Sequence, residues 1–339
     1  MAEPGVMRRW LIVVWVAGLA GCGGDGDGGA ADDAGAGADA ALAGDGALAG
    51  DGAVVPADAR VGMDDAAVVN PLTGIGAVTM VPGGPYLFVE GPVWLGDRLL
   101  FSDIDGNIIR QLVPPSTITT FRMPSGNSNG LAVDAQGRLL ACEHGNHRVS
   151  RTLAGGTIED VATSFGGSRL NSPNDIIARS DGNLYFTDPD YAALPGDRQP
   201  TQGMFRVSPT GALTRIAMYS TQPNGIALSP DQATLYVADA AANLVRKFAV
   251  AGDGSTGAAQ LFVNTANTPD GMAMDDAGNL FVTTQAGVQV YAPSGTLWGT
   301  IAVPEQPANC TFGDADRRTL YITARTRLYR VRLVGPGKP

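Results

Sequence analysis

Six residues stand at comparable places along the chain: Glu90 in EGPVW, Asn129 in SNGLAV, Asn174 in PNDIIA, Asn224 in PNGIAL, Asp270 in PDGMAM and Asn309 in ANCTFG. Each heads a short apolar run, and each ends in a carboxylate or an amide. An ionised carboxylate such as Glu90 is costly to desolvate at the start of a buried strand unless another charge meets it. Together the two carboxylates and four amides are an all-oxygen donor set, which suits a hard cation. Calcium fits best, because it accepts irregular geometry and neutral carbonyl donors; magnesium and zinc stay open as alternatives. Zinc has little to work with, since the only histidines are His144 and His147 in EHGNHR, with no thiolate cluster beside them. Taken singly, Asn129 or Asn309 reads as an ordinary strand-start amide that satisfies loose backbone groups. The set with two carboxylates reads differently, because clustered like charges need a counter-ion.

For six such residues to converge, the chain must repeat itself around an axis. A turn and an apolar strand follow each head residue and end at Asp103, Glu143, Asp188, Asp239, Thr284 and Thr323, at spacings of 40, 45, 51, 45 and 39 residues. A third strand follows each copy, from GNIIRQLV in the first to RLYRVRLV in the last. No stretch after the N-terminal segment shows a sustained helical period. Short β-rich strands recurring at this interval predict an all-β fold, a six-bladed β-propeller. The first strand of each blade then lines the channel, and the head residues ring one mouth. The last unit has only three strands of its own, so GIGAVTMV near residue 75 is expected to close the ring as its fourth strand and cover an open edge.

EGPVW, LNSPNDIIARSDGNLYFTDPDY, PNGIALSPD, TLYVAD and PDGMAMDDAGNL together resemble the gluconolactonase family, the group that includes senescence marker protein (regucalcin). The likeness runs from about Gly74 to Leu333 and covers all six units. It implies one divalent metal at the axis, with Glu90, Asn224 and Asp270 on the family's ligand positions. Asn174 matches a position that binds metal in the related diisopropyl-fluorophosphatase. The family's substrate-binding Arg, two residues before that Asn, is Ser172 here, and Arg169 is the candidate to replace it. The resemblance further implies hydrolysis of a lactone, most simply a sugar lactone such as gluconolactone. A metal would polarise the ester carbonyl, Asp270 is the candidate general base, and Glu90 a purely structural ligand. Asn129, Asn309, His144 and Tyr191 are candidates to line the mouth and touch substrate. A metal-dependent phosphotriesterase and a non-catalytic binding propeller of the cell envelope are the alternatives. Ser128 in GNSNG fits G-x-S-x-G, but a strand follows where a nucleophile elbow needs a helix.

The rest of the chain bounds the setting. Arg8 and Arg9, the apolar run WLIVVWVAGLA and then LAGC form a secretory signal over residues 1–22, too short for a stable membrane span. LAGC is similar to a bacterial lipobox, which makes Cys22 the candidate lipidation site. Gly23 after it favours the outer membrane by the same resemblance, and an ordinary signal with a chance Cys is the plainer alternative. Residues 23–69 are mostly Gly, Ala and Asp, a composition that cannot offset the entropy of ordering, and are expected to be a disordered tether. Ten Asp against one Arg in residues 23–66 account for most of the chain's net charge of −10. The expected propeller, 70–335, is nearly neutral, which excludes a nucleic-acid surface. Cys142 and Cys310 are expected as free buried thiols, and the propeller as a monomer.

Overall fold

The computed structural model describes residues 69–191, 198–219 and 221–338. The signal segment with Cys22 and all but the last residue of the tether lie outside the described residues. Turn chemistry builds the rest. Between the first and second strands of most units an Asp carboxylate captures backbone N–H groups two to four residues on: Asp134 those of Gln136 and Arg138, Asp231 that of Ala233, Asp275 that of Asn279. These side-chain-to-backbone bonds reverse the chain in a few residues and start the next strand in register.

The strands assemble into six four-stranded antiparallel sheets, five of them running from the axis outward in chain order. Their innermost strands are Val89–Leu95, Ser128–Val133, Ile176–Ala178, Pro223–Leu228, Pro269–Met274 and Pro307–Gly313, and these number the blades 1 to 6. No helix occurs among the described residues. The ring closes as expected. Thr79–Met80 forms the outer strand of blade 6, pairing Thr79 with Arg330 and Met80 with Tyr329. One element was not anticipated, a two-stranded hairpin of Ser164–Phe165 and Ser168–Arg169 leading into blade 3.

The core is distributed among the seams. Buried apolar side chains fall into six clusters, each shared by two neighbouring blades; Leu131, Leu139 and Ala141 of blade 2, for example, pack on Val93, Leu100 and Ile109 of blade 1. Carboxylates at the ends of second strands are also structural. Asp103 accepts the Leu87 and Phe88 N–H groups and pairs with Arg110, Glu143 pairs with Arg122 and Arg148, and Asp239 with Arg246. Cys142 and Cys310 are buried free thiols. Ser128 is fully buried against Ser102, its hydroxyl 2.9 Å from that of Ser102, and has no histidine partner.

Candidate active site

The head residues are aimed by a shared irregularity. In five of the six blades the pairing of the innermost strand with the second one slips at the head: between Glu90 and Val93, Ser128 and Leu131, Pro223 and Ile226, Pro269 and Met272, and Pro307 and Asn309. A bulge at that point re-aims the side chain. The residue after the head is glycine in blades 1, 2, 4 and 5, which lets adjacent blades touch backbone to backbone. A Cβ on Gly91, whose φ is +51°, would lie 2.0 Å from the Asn129 carbonyl oxygen, and one on Gly225 would lie 2.3 Å from that of Asp270. Hydroxyls add clamps across the seams: Ser102 donates to the Asn129 carbonyl at 2.6 Å, and Thr187 to that of Asn224 at 2.7 Å.

At the resulting mouth the structure brings Glu90, Asn224, Asp270, Asn309 and Tyr191 together. Glu90 is 4% exposed, and its Oε2 accepts the Gly91 N–H at 2.8 Å. Burial, and then the charge of Asp270, hold the Glu90 carboxyl well above the usual carboxylate range. Burial and the charge of Asp175 raise that of Asp270. Asp270 is the less sealed of the two. Neither carboxylate has an ion-pair partner among the described residues, and the Asn224 amide steadies Asp270 while donating to the Tyr191 hydroxyl at 3.2 Å. Tyr191 is 40% exposed overall, and burial of its phenol end, then the charge of Asp270, push its ionisation up, so the phenol stays protonated. Asn174 is buried, and its backbone oxygen takes the Gly130 N–H at 2.7 Å.

Asn309 is tied both to the backbone and to two carboxylates. Its Oδ1 accepts the Cys310 N–H at 2.8 Å, and its amide reaches both Glu90 and Asp175. Sequence reasoning missed Asp175. This buried carboxylate accepts the Ile176 N–H at 3.0 Å and, across the seam to blade 4, the Ile226 N–H at 3.1 Å. Burial raises its carboxyl to about 6. Its position right after Asn174, in a segment otherwise followed by apolar residues, was the signal available.

His144 and Asn129 meet in blade 2, with Nε2 and Nδ2 3.4 Å apart. Burial, aided by His147, pushes His144 down to about 4, so the ring is neutral at pH 7. His147 is committed to the Asn171 carbonyl. Arg169 belongs to the added hairpin and bridges to Arg198, and Ser172 is fully buried with its N–H on the Pro189 carbonyl.

The donor chemistry fits a hard divalent cation. Two neighbouring carboxylates, Glu90 buried and Asp270 half-buried, with no ion-pair partner among the described residues, are costly until positive charge reaches them. No three His, Cys, Asp or Glu side chains cluster as a metal site among the described residues, so neutral amide oxygens would complete the set.

Residues 88–326 match the SMP-30/Gluconolactonase/LRE-like region family. The chain is 34% identical over 277 residues to a gluconolactonase of Zymomonas mobilis, covering 72% of this chain and 78% of that one. Among solved structures, a putative gluconolactonase superposes with a TM-score of 0.73 at 29% identity, over 78% of this chain and 94% of the other. A gluconolactonase of Xanthomonas campestris gives 0.68 at 31% identity, over 76% and 95%. With the six blades and the axial carboxylates in place, this chain belongs to the SMP-30/gluconolactonase family.

Proposed function

We propose that this protein opens lactones by hydrolysis, with a divalent cation, calcium fitting best, held at the axial mouth by Glu90, Asn174, Asn224 and Asp270. The observation that carries the reading is the Glu90–Asp270 pair, a buried carboxylate facing a half-buried one, with no ion-pair partner for either among the described residues. Its chemical class comes from the relatives, which are named gluconolactonases. When bound, such a cation polarises the ester carbonyl and offsets the oxyanion charge of the addition step.

The side chains divide the remaining work by their exposure. Asp270 borders the channel, and burial raises its basicity, so it takes the proton of the attacking water. Glu90 is shut behind Gly91 and serves as a fixed ligand. Tyr191 accepts from Asn224 and keeps its own O–H to donate to a substrate oxygen. Neutral His144 offers a ring nitrogen beside Asn129. The sugar lactone is the first substrate to try. Asp270→Asn is expected to lower kcat by about 10²–10⁴-fold with folding intact, and a chelator to abolish turnover reversibly. Lactone turnover that survives both treatments rules the mechanism out. Organophosphate triesters in the same assay test the phosphotriesterase alternative, and a chain inert toward both classes is a binding propeller.

The cell-envelope setting rests on LAGC and the Asp-rich segment after it. Lipid on Cys22 is expected to hold the protein in the membrane fraction, and Cys22→Ser to release it. An unchanged fractionation pattern would contradict the anchor.

A further inference from the structure

The turns joining second to third strands surround the mouth. In blades 1, 2, 4, 5 and 6 they are residues 104–107, 144–147, 240–243, 285–286 and 325–326. Of these five short turns only the last carries a permanent cation, Arg325. Its backbone is fixed at the closing seam: the Arg325 carbonyl accepts the N–H of Val89, the residue before Glu90, at 2.8 Å. Its guanidinium is braced on two sides, donating Nη2 to Gln306 Oε1 at 2.6 Å and lying 5.9 Å over the Phe88 ring. Among the described residues it has no ion-pair partner, the nearby Glu305 carboxylate being taken up by Thr326, although arginines near other second-strand ends are ion-paired. Its turn sits directly against the head of the strand that carries Glu90. In blade 3 the place of the expected substrate arginine is filled by buried, uncharged Ser172.

We propose that Arg325 recognises an anionic substituent on the substrate, and that the preferred lactone carries a carboxylate, as the lactone of a sugar diacid does. This rests on the lactonase reading. A guanidinium is a planar fork suited to a carboxylate, and one held by an amide on one edge and a ring on one face loses little freedom on binding.

The test compares kcat and KM on glucarolactone and gluconolactone for the wild type, Arg325→Gln and Arg325→Lys, at low and high salt. The wild type is expected to favour glucarolactone through KM. Arg325→Gln should raise KM for glucarolactone by about tenfold or more, with a much smaller change on gluconolactone. Lysine, which keeps the charge and loses the fork, should fall between. Salt should shrink the wild-type preference and leave the Gln variant flat. Wild-type turnover of gluconolactone without preference for the acid overturns the proposal alone, as does an equal loss on both lactones in Arg325→Gln. A wild type that opens neither overturns the lactonase reading and this proposal with it.

Discussion

The Asp175 carboxylate receives the Ile176 N–H from its own blade, the Ile226 N–H from blade 4 and the Asn309 amide from blade 6. It therefore fixes three blades relative to one another while adding negative charge beneath Glu90 and Asp270. Asp175→Asn removes that charge and turns an acceptor into a partial donor facing backbone N–H groups. Affinity for calcium, measured by titration calorimetry, is expected to fall about 10–100-fold, the usual cost of losing a partner behind a ligand shell. An affinity equal to the wild type's would show that Asp175 serves the fold alone. At this scale Glu90, Asn174, Asn224 and Asp270 stand out as candidates because each recurs at the same place in a repeated unit. Asp175 and Arg325 do not, because each occurs in one blade only. Asp175 reads as the second half of an ordinary Asn-Asp turn, and Arg325 as one of several arginines in RTRLYRVR. What sets them apart is the neighbour each meets across a seam, which no local pattern encodes.

The strand that carries a head residue is as important as the residue. Gly225 allows blade 4 to approach the Asp270 backbone so closely that an added Cβ would also lie 2.7 Å from the Gly271 Cα. Backbone atoms on both sides cannot yield, so Gly225→Ala should cost about 1–3 kcal/mol in denaturant unfolding and displace Asp270. Unfolding midpoints and lactone turnover both unchanged would refute this account of the seam. Inner and second strands were readable from sequence because they are apolar and start at Asp- or Gly-bearing turns. Outer strands were harder. Thr117–Arg122 is mostly exposed, and without a buried face it leaves no alternation to read. The hairpin of Ser164–Phe165 and Ser168–Arg169 breaks the repeat, so a reading built on periodicity passes over it.

The propeller is held by neighbour-to-neighbour packing, with an apolar cluster in every seam and a polar ring at one end. That division explains why the fold was legible before the substrate. Seams need apolar strands of fixed length at fixed intervals, and these are written into the spacing. The rim turns, by contrast, differ in length and residues from blade to blade.

Closure joins Met80 to Tyr329, residues from opposite ends of the propeller's chain. During synthesis the early strand therefore waits, with its hydrogen-bonding groups unmatched, until almost all the remaining blades have left the ribosome. Through that interval blade 6 is absent or incomplete and blade 1 presents an uncovered apolar flank, the kind of surface that holdase chaperones bind.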